Sequence, residues 1–347
     1  MKSVFDLTYD NLLKILLENN FKKYNADQIF EWIYKKKVYD VDKMSNLSEN
    51  LKKFLKTYSF NMLEIIEKEK SPLTNKYLLK LFDTNTIECV LMKHDYGNSL
   101  CVSSQVGCNM NCAFCESGRL KKVRNLSVSE MVLQVLTIEK EEKIRIDSVV
   151  VMGIGEPFDN FDNIIDFVSL LTHQKGITIA QRKISVSTCG LVPKIYEFAD
   201  IKNQVNLAIS LHAPNDEIRN KIMPISKVYN LKELFKAIDY YIDKTNRRVT
   251  IEYILLDNVN DTKECALELA NLLKGKLLYV NLIPYNETSN LTFKRSKDFK
   301  IKEFYDILKK KNIDVTIRKE MGSKITGACG QLRANKRGAL NDNSLSN

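Results

Sequence analysis

The chain has 347 residues, 44% of them hydrophobic, with 53 Lys and Arg against 43 Asp and Glu for a net charge of +10. That is enough apolar material for one large domain and a small one; no run of about twenty apolar residues is there to span a membrane, and the charged start MKSVFDLTYD has no apolar signal core, so secretion is not expected. Eight cysteines in a chain read as cytoplasmic argue for metal-binding or catalytic thiols over a disulfide scaffold, and the cationic excess suits a polyanion such as RNA without requiring one.

Residues 1–60 read as helical. Thr8 is placed to cap a helix carrying Leu12, Leu13, Leu16 and Leu17. A second helix is predicted over 27–36, and Ser48 is placed to cap a third with Leu51, Phe54 and Leu55 inward. The region is mildly basic. Lys35 to Lys37 beside Trp32 read equally well as a solvated helix end or an RNA contact. From residue 65 the pattern turns to strands: 76–82 and 86–92 flank an Asp83-Thr84-Asn85 turn and predict a hairpin. Glu88 lies within the second of these strands, where a charge ordinarily faces solvent.

A first parallel strand is predicted at 100–105. Ser127 and Glu130 then form a capping box that opens a helix. Strands follow at 148–152, 184–187, 204–211, 248–256 and 277–284, with helices at 163–171, 231–243, 262–273 and 300–311 and a last strand at 314–318. Repeated β-α units of this kind predict an α/β fold, a parallel sheet curled into a partial (β/α)6 barrel with chemistry at the carboxyl ends of its strands. The polar tail 334–347 is expected to be disordered.

Four cysteines fall within 101–115, CVSSQVGCNMNCAFC. Cys108, Cys112 and Cys115 make a C-x3-C-x2-C triplet, tight enough for one loop to wrap a metal centre. Three thiolates leave one coordination position open, whereas a closed zinc site wants a fourth ligand nearby. Zinc, a redox pair and an iron-sulfur cluster all remain open on spacing alone. Downstream, Gly153-Ile154-Gly155-Glu156-Pro157 ends a strand and lets backbone approach a ligand, although it is not a complete dinucleotide fingerprint. Ser187, and Ser210-Leu211-His212, also end strands, where such side chains either bind a ligand or cap locally. Asn286 follows the sixth barrel strand. Cys329 sits between Ala328 and Gly330 in a late loop; alone, it reads as a buried thiol.

Taken together, 101–115, 153–157, 210–216 (SLHAPND), 248–253 and 328–332 (ACGQL) resemble the RlmN/Cfr family of radical S-adenosylmethionine (SAM) RNA adenine methyltransferases, most closely the RlmN branch, over about residues 5 to 337. The resemblance implies a radical SAM partial barrel over 100–333, a helical RNA-binding accessory domain over 1–64 and a short β extension over 65–99. It implies one [4Fe-4S] cluster on Cys108, Cys112 and Cys115, with SAM on the open iron and in contact with Gly155, Glu156, Ser187, Ser210, Leu211, His212 and Asn286. It further implies methylation of Cys329 by one SAM, reductive cleavage of a second, and addition of the resulting methylene radical to adenine. Glu88 then removes the ring proton, and Cys101 resolves the adduct through a transient disulfide with Cys329. The implied substrates are an adenosine of the peptidyl-transferase centre in 23S rRNA and the adenosine 3′ of the tRNA anticodon. The implied setting is a cytoplasmic monomer, free of membrane, served by an electron donor such as flavodoxin with its reductase.

Within the family the rival is a Cfr-like C8 methylase that confers antibiotic resistance. Gly155-Glu156-Pro157 and the run from His212 to Asp216 look like RlmN, so C2 is expected. The rival from another class is a non-catalytic RNA-binding protein with structural zinc, which needs neither Cys329 nor Cys101. Cys89, Cys189 and Cys265 read as packing thiols, and His94 and His173 receive no role.

Overall fold

Thr8 does cap the first helix: its hydroxyl accepts from Asn11 N at 3.3 Å, and α1 (Tyr9–Glu18) buries Leu12 and Leu16. The computed structural model from which this is seen describes residues 1–288, 290–318 and 332. The second helix, α2 (Lys23–Phe30), starts earlier than the periodicity predicts. The Asn25 side chain accepts from Lys22 N at 2.9 Å and so closes the amino end one turn upstream. A π-helical turn over Glu31–Lys35 continues it. Ser48 caps α3 (Glu49–Leu55) through Leu51 N at 3.3 Å.

Among the described residues the strands form one ten-stranded sheet and a small two-stranded one. An antiparallel run, β1 (Glu64–Lys70), β2 (Thr74–Lys80), β3 (Thr86–His94) and β4 (Gly97–Val102), makes one side of the large sheet. The loop after β4 contains the small pair β5 (Gln105–Val106) and β6 (Arg124–Asn125). The alternation follows as α4 (Val128–Glu142), β7 (Ser148–Val151), α5 (Phe161–Thr172), β8 (Ile184–Thr188), α6 (Val192–Asp200), β9 (Asn206–Ser210), α7 (Asp216–Ile222), α8 (Leu231–Thr245), β10 (Val249–Leu255), α9 (Lys263–Leu273), β11 (Leu278–Pro284), α10 (Asp298–Lys310) and β12 (Val315–Ile317). From β4 through β7 to β12 every neighbouring pair is parallel, and the sheet ends at β1 and β12 without closing. The partial barrel predicted from repeated β-α units is therefore the architecture found. Helices α6 and α7 went unpredicted, although Pro193 opens the first and the Asn215 side chain caps the second through Ile218 N at 3.0 Å.

Side-chain alternation divides the sheet into two faces. Val149, Val186, Leu207, Ile251 and Val280, all fully buried, lie in the core that the helices cover. The opposite face carries a polar row in register across four strands: Ser210, Glu252, Asn281 and Thr316. The amino-terminal helices share the main core, and Asp6 ties them to the barrel by accepting from Ser129 N at 2.7 Å at the start of α4.

Candidate active site

The loop that carries the thiol triplet is held from several directions. Cys108 N donates to Leu120 O at 2.8 Å, and Ala113 N donates to Ile222 O at 2.9 Å, the last residue of α7. Phe114 packs with Ile222, Met223 and Cys189, and its ring meets that of His212 edge-on, 4.9 Å between centroids. These contacts turn Cys108, Cys112 and Cys115 toward one cavity of about 140 Å3 at the carboxyl ends of the parallel strands.

The same cavity is lined by Gly155, Glu156, Ser187, Ser210 and His212. Leu211 is fully buried away from that wall, and its carbonyl accepts from Arg219 Nε at 3.1 Å. Asn286 is half-buried beyond the end of β11 and is likewise not on the wall. The lining also includes residues to which the sequence gives no role, among them Cys189, Glu252, Arg318 and Leu332. Cys189 is indeed buried and packed, but it also faces the cavity. Glu252 was legible, since an acidic residue inside the apolar strand 249–255 needs a polar reason to be there.

Gly153 and Gly155 shape the turn after β7. A Cβ on Gly155 (φ +110°) would stand 2.6 Å from Gln105 Cβ, and one on Gly153 would stand 2.7 Å from Val102 O. Between them Ile154 N donates to Ser103 Oγ at 2.9 Å, and that hydroxyl donates to Glu88 O at 2.6 Å. The turn is thus pressed against β3 and β4. Glu156 is buried, and its carboxylate accepts from Phe158 N at 2.9 Å and Cys189 N at 2.8 Å. Burial pushes its carboxyl up, against those backbone hydrogen bonds. Lone pairs are left for a ligand ammonium, because each oxygen offers two.

His212 adopts the left-handed backbone (φ +58°), which Asn260 stabilises by donating to its carbonyl at 2.7 Å. Its Nδ1 accepts from Ile254 N at 3.0 Å, so the ring proton belongs on Nε2. Burial, with Arg219 nearby, holds its pKa down to about 3, so the ring is neutral at physiological pH and offers one N–H donor.

The donor set fits an anionic metal group. Burial pushes the Cys108 thiol up to about 12 and the Cys112 thiol well above its ordinary range, so these groups become thiolates when a metal takes the place of the proton. Arg219 is fully buried, and the hydrogen bonds of its guanidinium go to the carbonyls of Leu211, Cys189 (2.7 Å) and Ser210 (3.4 Å), with no carboxylate among them. A buried cation of this kind is costly without counter-charge, which thiolates at Cys112 and an anionic ligand would supply. Among the described residues no three His, Cys, Asp or Glu form a site for a single metal ion; the triplet is three thiols on one cavity wall.

The residues expected to act beside the cluster fall on β3 and β4. Glu88 is buried, contrary to the solvent-facing expectation for a charge in a strand, because Lys76 on β2 meets it at 3.3 Å on the covered face. Cys89 points the other way, into the main core. Cys101 pairs in register with Val90 and packs against Val90, Met92, Ile154 and Leu332. Cys329 lies outside the described residues, and with it any bond to Cys101. Among the described residues no helix is long and apolar enough to cross a membrane.

Comparison with known proteins gives two family matches: residues 3–60 to the ribosomal RNA large subunit methyltransferase N-terminal domain, and residues 102–272 to the radical SAM superfamily. A probable dual-specificity RNA methyltransferase RlmN from Malacoplasma penetrans (strain HF-2) is 54% identical over 343 residues, 97% of each chain. Its counterpart from Spiroplasma citri is 50% identical over 98% of this chain and 99% of its own. The crystal structure of a radical SAM methyltransferase from Sphaerobacter thermophilus superposes with a TM-score of 0.91 at 39% identity, covering 96% of this chain and all of that one.

Proposed function

The chain belongs to the RlmN family of radical SAM RNA methyltransferases, and from that membership we propose that it methylates C2 of one adenosine in 23S rRNA and of the adenosine 3′ of the anticodon in tRNA. The observation that carries this reading is the convergence of the three triplet thiols with Gly155, Glu156, Ser187, Ser210 and His212 on one cavity. Family membership sets aside the zinc-containing, non-catalytic alternative.

Cys108, Cys112 and Cys115 would hold the [4Fe-4S] cluster. Together with SAM it would supply the one-electron chemistry that adenine C2, neither acidic nor nucleophilic, requires. The remaining work falls to side chains of this chain. Glu156 accepts from the ammonium of SAM, and the neutral His212 offers Nε2–H to an acceptor on the same ligand. Ser187 and Ser210, whose hydroxyl oxygens are 3.4 Å apart at neighbouring strand ends, serve its ribose or carboxylate. Leu211 contributes backbone and Asn286 its amide at the nucleoside end.

The Cys329 thiolate carries the methyl group, taking it by displacement at the methyl carbon of one SAM, whose demethylated thioether leaves. Cys101 packs with Leu332, three residues after Cys329 in the sequence. In the proposed release step the Cys101 thiolate attacks the Cys329 sulfur; a transient disulfide forms, the RNA-borne methylene carbon leaves with the bonding electron pair and takes up a proton, and an external reductant resets the two thiols. Glu88 accepts the ring proton as general base. The target base leaves its stack to reach this site, and the amino-terminal helices provide the accessory RNA surface. Flavodoxin with its reductase is the proposed electron source, and the working form is a cytoplasmic monomer.

The test is methylation mapping of 23S rRNA and tRNA from cells with and without the gene, alongside iron analysis of the anaerobically reconstituted protein. Gene-dependent 2-methyladenosine and about four irons per chain are expected. An 8-methyl product moves the chain to the Cfr-like chemistry, and a functional, colourless, iron-free protein removes the radical reading.

A further inference from the structure

The parallel strands have two ends, and the end away from the thiols holds a second cavity, of about 540 Å3. Its walls come from the amino ends of β8 to β11. Ser185 and Asn206 pair in register across β8 and β9, and Thr250 and Tyr279 across β10 and β11. Three arginines, Arg182, Arg247 and Arg248, complete the lining.

The amino end of a parallel barrel ordinarily serves stability, with chemistry at the other end. Three guanidiniums around one hollow do not serve stability, because like charges repel. Their pairing here is sparse. Arg248 meets Asp314 at 3.3 Å and lies over the Tyr279 ring at 4.6 Å. Arg182 donates to the side-chain oxygen of Gln204 at 3.0 Å, and Arg247 to that of Asn206 at 2.7 Å. Neither amide carries charge. Arg247 Nε is buried with no hydrogen-bond partner. The hollow is therefore net cationic.

We propose that this hollow is a phosphate-binding site, with Arg182 and Arg247 as its grip and the Ser185 and Thr250 hydroxyls as supporting donors. The planar guanidinium fork matches an oxyanion by paired, charge-assisted hydrogen bonds. A phosphate monoester dianion balances the two arginines that Asp314 leaves uncompensated, and a phosphodiester monoanion balances one of them. Two sources carry this chemistry: a phosphodiester of the RNA substrate, distant from the target adenosine, and a free phosphate ester. For the first source alone, the proposal rests on the RNA-methyltransferase reading. Beside Arg182, Lys183 adds a further cation to this end of the sheet, 5.8 Å from the centroid of the exposed Tyr96 ring, which stacks on His94 at 4.6 Å.

The experiment titrates pyrophosphate into the full chain in phosphate-free buffer, by calorimetry. Saturable binding is expected, weakened about tenfold or more in Arg182→Gln/Arg247→Gln. Asp314→Asn removes an exposed competing carboxylate and should tighten binding, which tests the same electrostatics with every arginine in place. Absence of saturable binding to the wild type, or equal binding by wild type and both variants, overturns the proposal. The source is then read from a 23S rRNA fragment. If the site takes an RNA phosphate, pyrophosphate competes and the arginine variant lowers the salt-dependence slope by about 1 to 2. If it takes a free ester, RNA affinity and slope stay unchanged while pyrophosphate binding is lost.

Discussion

The Ser117 hydroxyl donates a 2.9 Å hydrogen bond to the Leu332 carbonyl, joining the thiol-bearing loop to a residue 215 positions later. Both residues are buried, and the Leu332 side chain packs with Val90, Met92 and Ile154 beside Cys101. One wall of the site thus depends on a segment at the far end of the sequence.

Leu332→Ala should loosen that docking. Truncating a buried leucine costs about 2 to 5 kcal/mol where the surroundings cannot collapse, and here the loss falls on one short segment. RNA methylation is expected to drop at least tenfold (about 1.4 kcal/mol) while SAM is still cleaved. The ratio of 5′-deoxyadenosine to methylated adenosine reads this out. An equal fall in both would assign Leu332 to general stability instead.

Cys101→Ala is expected to trap protein crosslinked to RNA through Cys329, visible as a slow-migrating, nuclease-sensitive species. Cys329 methylation and SAM cleavage should continue. If both proceed and no adduct accumulates, Cys101 is not the resolving thiol.

Gly155→Ala places a Cβ 2.6 Å from Gln105 Cβ at a φ of +110°. A loss of about 1 to 3 kcal/mol is expected in urea unfolding, together with weakened SAM binding, because the turn that presents Glu156 must shift. Unchanged stability and affinity would show that the turn relaxes freely.

His212 gives a pH dependence of definite sign. Its pKa falls from 6.5 to about 3 on folding, chiefly through burial. Between those values the unfolded chain binds the proton and the folded chain does not, so stability rises with pH across that window and is lost as pH falls from about 6.5 toward 3. His212→Gln should flatten this part of the stability curve, by an amount on the order of a few kcal/mol at its acid end. Coincident curves for variant and wild type would mean that the buried ring does not control this range.

Arg219→Gln removes a buried cation near the triplet, where it acts on Cys112. The cluster's reduction potential should become more negative, since reduction adds negative charge that the guanidinium offsets. A shift of tens of millivolts is expected in an electron paramagnetic resonance redox titration, with about 60 mV corresponding to a tenfold change in equilibrium. An unchanged potential would limit Arg219 to tying the ends of β8 and β9 together.

Much of the fold was readable along the chain. Thr8, Ser48, Ser127 and Glu130 announce helix starts because a cap is a contact between residues three apart. The strands are visible through their apolar runs. The start of α2 lies upstream of the predicted residue 27 because its amino end is closed by a side chain from within the helix, Asn25 accepting from Lys22 N. Glu88 was misplaced because burying a charge depends on Lys76 from the neighbouring strand, a pairing set by register.

The sequence by itself determined the chemistry on offer: three thiols at cluster spacing, a glycine turn ending in Glu156, and serine and histidine at strand ends. These are local patterns, each set by residues a few positions apart. The tertiary structure alone decided which of them share a cavity, that Glu88 is inside, that His212 is neutral with its proton on Nε2, and that Arg219 is buried with its hydrogen bonds going to backbone carbonyls. Those properties come from burial and from contacts between strands, and no local pattern contains either. The arginine hollow at the other end has the same origin, since Arg182 and Arg247 become neighbours only when the parallel strands align their amino ends.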